Sequence, residues 1–329
     1  MPHSTQIIAR PTSPRLRAFR AAVSLHSHTT HSMERLDHVR SIAALFRGLW
    51  WTPPLAPAPA LRLERGQIEG LGLRPLVSIT DHDNIDAPLL LRAQDGSRDM
   101  PVSVEWTVPW GSTFFHLGLH NLPPRRATDR MRVLAGFTAQ PNAADLPGIL
   151  DWLAEDPSVL IVFNHPLWDE KGLAPGEHER AAREFLRLHR PWIHALELNG
   201  LRPWSDNRRV LRWARESSLP AVAGGDRHGC EPNVLLNVTN ACTFHEFVEE
   251  VRDEGLSRVL AMPAYRQPRG RRITADVLSV FSRQADGSRW TDRVLVQRQG
   301  TLVSLRELWA RPRAAAEAPA AFSTPLQSS

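Results

Sequence analysis

The chain has 329 residues, 42% hydrophobic and 23% charged, a composition that supplies a core and excludes a fibrous, collagenous or wholly disordered protein. Formal net charge is only +5. The sequence pI of about 10.3 comes from basic residues that are all arginine except Lys171, and no compact basic run marks a nucleic-acid footprint. Cys230 and Cys242 lack CxxC spacing and exclude a disulfide framework. No apolar stretch approaches the length of a membrane span, so a cytoplasmic protein without membrane contact is expected.

Residues 1–20 are basic and Pro/Ser-containing, lack the apolar core of a signal peptide, and read as a flexible arm. From Ala21 to residue 265, short apolar runs alternate with segments of helical period. The runs are Ala21–Leu25, Leu76–Ile79, Val102–Val104, Phe114–Phe115, Leu160–Phe163, Ala195–Leu198 and Ala221–Ala223. Their Val, Ile and Phe content and their length mark buried strands. Asn142 and Ser205 are candidate caps for helices carrying Leu150, Trp152 and Leu153, and Val210, Trp213 and Ala214. Thr243 with Glu246 forms a capping box ahead of Phe247, Val248 and Val251. This alternation predicts an α/β domain with mainly parallel strands. The Pro-rich segment 50–60 reads as an insertion, either inert or a lid. Residues 266–310 form a C-terminal extension with a β-hairpin and short helix over 284–308, and 311–329 read as a disordered tail.

The chemistry-bearing side chains fall at the ends of these runs. The first is followed by His26-Ser27-His28 and the second by Asp81-His82-Asp83. The third ends in Glu105, the fourth in His116, the fifth precedes His165, and the last precedes Asp226-Arg227-His228. Residues i and i+2 at a strand end share a face, so His26 with His28, and Asp226 with His228, can enter one cavity. Each pair alone has an ordinary reading as a cap, turn or buried hydrogen bond. Six such groups, at six of the seven run ends, point to a shared metal site, because imidazole and carboxylate suit divalent Zn, Mn and Fe, and burying so many ionisable groups without cations costs several kcal/mol per unpaired charge.

The segments Leu25-His26-Ser27-His28-Thr29, Ile79-Thr80-Asp81-His82-Asp83, Asn164-His165-Pro166 and Gly225-Asp226-Arg227-His228 resemble the four signature motifs of the PHP (polymerase and histidinol phosphatase) family. Val104-Glu105, followed by His116-Leu117-Gly118-Leu119, is similar to the bridging-glutamate segment of its stand-alone phosphoesterases. The resemblance spans about residues 21–245 and implies a distorted (βα)7 TIM-like barrel over 21–265 holding two or three divalent ions (Mn2+, Zn2+ or Fe2+). It implies a first metal on His26, His28, Glu105 and Asp226. Glu105 then bridges to a second held by His116 and His165, and His82 and His228 bind a third. The family's remaining ligand of the third metal is His or Asp, and Glu34 is the candidate for it here. Gly224-Gly225 and Arg227 also depart from the family's last motif.

The expected reaction is hydrolysis of a phosphate ester by a hydroxide bridging two metals. Glu105 sets the metal spacing, Asp226 orients the nucleophile, and His228 or His82, if not fully committed to metal, protonates the leaving alkoxide. Arg227, Arg202 and His120 are candidate substrate-binding residues. The partner is a small phosphorylated substrate or nucleotide. Nucleic acid is admitted, as for a 3′-5′ exonuclease, but not favoured, and a non-catalytic scaffold is the remaining alternative. An amidohydrolase with a carboxylated lysine is set aside because Lys171 ends no apolar run. His31 and His38 read as surface histidines.

Overall fold

The computed structural model describes residues 4–35, 48–94, 97–281, 288–298 and 300–310. His38 and the tail expected over 311–329 lie outside them. Fourteen strands and ten α-helices follow one another in the described residues. They run β1 (Ser4–Ile8), β2 (Ala21–Ser24), β3 (Glu34–Arg35), β4 (Leu49–Trp51), α1 (Pro57–Glu69), β5 (Arg74–Val77), α2 (Asp86–Arg92), β6 (Val102–Trp110) and β7 (Thr113–Leu122). Next come α3 (Ala127–Ala139), α4 (Leu146–Ala154), β8 (Leu160–Phe163), α5 (Glu177–His189), β9 (Ala195–Asn199), α6 (Trp204–Glu216), β10 (Ala221–Gly224), β11 (Leu235–Thr239), α7 (Phe244–Arg252) and β12 (Leu256–Ala261). The chain finishes with α8 (Arg269–Val280), α9 (Trp290–Arg293), β13 (Val294–Arg298), β14 (Thr301–Ser304) and α10 (Leu305–Ala310).

Each of the seven apolar runs lies in a strand or overlaps the end of one. β2, β8, β9 and β10 are buried along their whole length, which explains continuous apolar runs in place of alternation. The strands form two five-stranded sheets, ordered β1-β12-β11-β2-β5 and β10-β9-β8-β7-β6. The isolated bridges Ser27↔Arg227 and His82↔Glu105 join loop ends between them. The hydrogen-bonded ladders therefore form two sheets of a mixed α/β fold, not one continuous ring.

The pairing is less parallel than the sequence suggests. β2–β5, β8–β9, β9–β10 and β1–β12 are parallel, whereas β6–β7, β7–β8, β11–β12 and β11–β2 are antiparallel. The runs around Val104 and Phe114 are too close for a crossover helix. They form a hairpin instead, turning at Gly111-Ser112 between the paired Trp110 and Thr113. Gly111 has φ +55°, which its missing Cβ allows.

Three further expectations are corrected. The flexible arm over 1–20 contains β1, whose Ile7 pairs with Val259 and whose Ile8 is buried, so its apolar pair seals one sheet edge. The insertion at 50–60 is framework: Trp51 ends β4, Leu55 O accepts from Thr30 N–H, and Pro57 begins α1, where its missing N–H costs nothing. Ser205 lies inside α6, and Asn142 closes the turn before α4, accepting from Ala144 N–H. Thr243 caps α7 as expected, accepting from Glu246 N–H, while Glu246 reaches back to Cys242 N–H.

The C-terminal extension contains the expected hairpin and helix, with β13 pairing β14. β13 also pairs β4, and β4 pairs β3, so the extension builds a third, four-stranded sheet. Among the described residues no helix is long and apolar enough to cross a membrane.

Candidate metal centre

The strand ends converge. His26 and His28 follow β2, His82 follows β5, Glu105 lies in β6, His116 in β7, His165 follows β8, and Asp226 and His228 follow β10. Glu105 is at the middle. Its Oε2 lies 2.9 Å from His26 Nε2 and 3.3 Å from both His28 Nε2 and His82 Nδ1. Its Oε1 lies 2.9 Å from His165 Nε2 and 3.5 Å from His116 Nδ1. Asp226 Oδ1 lies 3.7, 3.5 and 3.3 Å from His26 Nε2, His28 Nε2 and His228 Nδ1. Glu34 Oε1 lies 3.3 Å from His82 Nε2 and 3.1 Å from His228 Nε2.

Five overlapping groups of donor atoms result: His28, Glu34, His82 and His228; His26, His28 and Asp226; His26, Glu105 and His165; His82, Glu105 and His116; and His116, His165 and Glu170. All nine expected ligands belong to at least one of them.

The donor set fits divalent cations. Ligand bonds of about 2.1 Å place neighbouring donors about 3.0–3.4 Å apart around an octahedral or tetrahedral ion, close to the spacings observed. Several contacts also fail as hydrogen bonds. His116 Nδ1 and Glu34 Oε1 are buried with no hydrogen-bond partner among the described residues, although charged neighbours surround them. Buried polar atoms left so are uncommon unless an ion or water completes them.

Electrostatics bind the cluster together. Burial raises the Glu105 carboxyl, but the imidazoles of His26, His82 and His116 outweigh it and hold the group well below the usual carboxylate range. Burial depresses His26, yet Glu105, Glu197 and Asp226 lift it well above an ordinary imidazole. His116 is lowered, first by burial, with His82 and His165 adding to it. Against burial, Glu34 and Asp226 raise His228 to about 9. Two of the expected ligands also hold left-handed backbone, His165 at φ +25° and Asp226 at φ +53°. Such conformations cost about 1–3 kcal/mol for a residue with a Cβ and gather at functional sites.

The residues holding the ligands were partly missed by the sequence reading. Glu197 Oε1 lies 2.5 Å from His26 Nδ1, and its Oε2 accepts from His165 N–H and Asn199 Nδ2. A lone carboxylate inside the buried Ala195–Asn199 run was the available signal. Glu170 lies 3.5 Å from His116 Nδ1 and is raised to about 7, chiefly by burial; nothing in its loop sequence marked it. Asp81 accepts from Thr29 N–H and Oγ1 and fixes the turn after His28. Gly224 and Gly225 are required: a Cβ would sit 1.6 Å from Glu197 Oε1 at the first and 1.6 Å from Asn233 Oδ1 at the second.

The three candidate substrate residues separate. Arg227 is buried, with Nε on Glu64 Oε1 at 2.8 Å and its terminal nitrogens on Gly229 O and His28 O. It braces the loops in place of facing a substrate. His120 is buried too, bonded to Ser78 Oγ and lowered by burial to about 3, so it lines no accessible surface. Arg202 remains partly exposed, paired with Asp206 and stacked over Trp168, whose ring lies 5.5 Å from that of His165. His31 is half-buried, not a surface side chain.

No family model matches the chain, and no curated protein matches it at a significant level. Solved structures similar to it include PsfC from Pseudomonas syringae, with 13% identity, TM-score 0.49, 79% of this chain and 98% of that one covered. An amidohydrolase from Chromobacterium violaceum, with bound sulfate and no metal, gives 16% identity, TM-score 0.40 and coverage of 78% and 97%. A proposed metal-dependent phosphoesterase from Bifidobacterium adolescentis gives 16% identity, TM-score 0.38 and coverage of 73% and 97%. Likeness at this level carries no functional argument. The donor geometry carries it.

Proposed function

We propose that the chain is a metal-dependent phosphoesterase of the PHP type, with parts of its two five-stranded sheets making up a distorted (βα)7 barrel. One observation carries the reading: both oxygens of the fully buried Glu105 are used, Oε2 toward His26, His28 and His82, Oε1 toward His165 and His116. A carboxylate so placed could bridge neighbouring cations, the role that a carboxylated lysine would fill in an amidohydrolase. Lys171, the sole lysine, sits over the Phe114 ring instead.

His26, His28, Glu105 and Asp226 would hold a first cation, Glu105, His116 and His165 a second, joined by Glu170, and Glu34, His82 and His228 a third. Divalent ions there supply Lewis acidity toward phosphate oxygens and lower the pKa of coordinated water. The chain's own residues do the rest. Asp226 is anchored by Asn199 Nδ2 on Oδ2 at 3.0 Å, leaving Oδ1 to orient a water beside His26 and His28. His82 and His228 lie on the accessible flank, where either would protonate a departing alkoxide if not fully committed to a cation. Arg202, stacked over the Trp168 ring beside His165, offers a cation for a phosphate oxygen. The substrate class that follows is a small phosphorylated compound.

The test is elemental analysis of the purified protein together with hydrolysis of mono- and diesters, read as phosphate release for the monoesters and alcohol release for the diesters, in added Mn2+, Zn2+ or Fe2+. The expected result is two or three ions per chain and release that falls by several orders of magnitude in His26→Ala and Asp226→Ala. Full turnover in both variants, or no metal uptake by the unaltered chain, would refute the reading.

A further inference from the structure

The cluster is not equally accessible on all sides. Side chains of His26, His28, Glu105 and Asp226 are 0–4% exposed, whereas those of His82, Glu34 and His228 are 15–16% and that of Glu170 19% exposed. This second flank is the more exposed side of the cluster. Aromatic rings line it. Phe114 lies 5.2 Å from His116, Trp168 5.5 Å from His165, and Trp51 6.0 Å from His228, centroid to centroid.

Those rings differ in what covers them. Lys171 Nζ stands 5.2 Å over Phe114 and the Arg202 guanidinium 5.1 Å over Trp168. Among the described residues no cation covers Trp51. Among the described residues the flank is thus cationic on the His116–His165 side and aromatic, with no cation stacked on its ring, on the His228 side.

Trp51 is placed by the third sheet. In β4 it pairs with Glu34 of β3 and with Val294 of β13. Directly paired residues share a face and neighbours along a strand alternate. Trp51 therefore lies on the same face as Glu34, toward the cluster, while Trp50 faces away, with Arg35 over its ring at 5.6 Å. A strand held by ladders on both sides keeps the ring fixed, which lowers the ordering cost of stacking on it.

We propose that Trp51 is a specificity wall that selects phosphate esters whose leaving group carries a planar ring, whether a nucleoside or an aryl alcohol. The inference rests on the phosphoesterase reading, which places the phosphate at the metals and the leaving group against His228. Stacking of a ring on a fixed indole gives a preference of about tenfold in binding, about 1.4 kcal/mol.

Two measurements test it. Phenylphosphonate and methylphosphonate cannot be hydrolysed and differ in the ring; calorimetric titration of the metal-loaded protein is expected to show the phenyl compound binding about tenfold tighter. Trp51→Leu abolishes the difference without changing methylphosphonate affinity or metal content, and Trp51→Phe retains most of it. In turnover, Trp51→Leu raises KM for adenosine 5′-monophosphate, phenyl phosphate or both, and leaves glycerol phosphate unchanged. Which of the two ring esters responds identifies the source. An undiminished phenyl preference in Trp51→Leu, or an equal loss on all three esters, overturns the wall. Loss of metal in Trp51→Leu would assign the residue to the support of Glu34 and also overturn it. Phosphonate binding that depends on Trp51, without hydrolysis of any ester, would instead overturn the phosphoesterase reading and leave the wall standing.

Discussion

Glu197 Oε1 lies 2.5 Å from His26 Nδ1, so a carboxylate on β9 fixes the orientation of a ring presented from the end of β2. The same group accepts from His165 N–H at 2.8 Å and so ties two ligand loops to one strand. Partners behind a ligating histidine set its tautomer and basicity, and their loss typically lowers metal affinity about 10–100-fold. Glu197→Gln is expected to weaken binding at the His26 subsite toward the lower end of that range, measured by competition with a chelator. Gly224→Ala should weaken it as well, because the new Cβ would overlap Glu197. Unaltered affinity in both variants would remove Glu197 from the site.

This pair also shows what a linear reading could reach. Strands β2, β8 and β10 are buried throughout, so their apolar runs and the ligands after them stood out in the sequence. β1 did not, since its Ser4, Thr5 and Gln6 resemble a tail until β12 pairs with them. Glu34 sits on a two-residue strand whose partners come from residues 49–51 and, through them, 294–298. Local periodicity carries no trace of such a sheet, so only the family resemblance pointed to this residue. Arg227 stood beside the ligands in sequence, but its orientation is decided by Glu64, far away on α1. Contacts of that range are not encoded locally.

Glu170 provides a pH dependence. Burial raises its carboxyl to about 7, against the pull of His165 and His82. An acid raised in this way holds a proton below about pH 7, and a cation must displace it to use the oxygen. Affinity at the His116, His165 and Glu170 group is therefore expected to fall as pH drops below about 7, by up to about tenfold per unit for this proton. Glu170→Gln removes this proton and should flatten the profile in binding isotherms taken from about pH 6 to 8. A variant profile as steep as the wild-type one would assign the dependence to the histidines.

The Arg227–Glu64 pair separates support from recognition. Both side chains are at most 3% exposed, and the guanidinium also bonds Gly229 O and His28 O. Removing one partner of a buried pair costs about 3–5 kcal/mol, mostly from the charge left behind. Arg227→Met should therefore lower the denaturation midpoint sharply, and the fraction that stays folded should keep the wild-type KM. The double change with Glu64→Leu should recover part of the stability. A raised KM with an unchanged midpoint would return Arg227 to the substrate.

His189 makes a prediction independent of metal. It ends α5 and is 3% exposed, with its ring 4.7 Å from Phe185, 5.3 Å from Trp110 and 6.1 Å from Trp192. Neither ring nitrogen has a hydrogen-bond partner among the described residues, and burial lowers the group to about 4. In the unfolded chain an ordinary histidine protonates near pH 6.5, whereas the folded protein resists protonation until about pH 4. The unfolded state thus binds the proton first, and stability is lost as pH falls through this window, by on the order of 3 kcal/mol once complete. At neutral pH the ring is uncharged in both states and contributes no such term. Phe in its place keeps the aromatic contacts and has no nitrogen to desolvate, so His189→Phe should match or exceed the wild type at about pH 7 and exceed it increasingly toward about pH 5. Urea denaturation of the two proteins across this range measures the difference, and parallel curves would show that His189 does not couple folding to the proton.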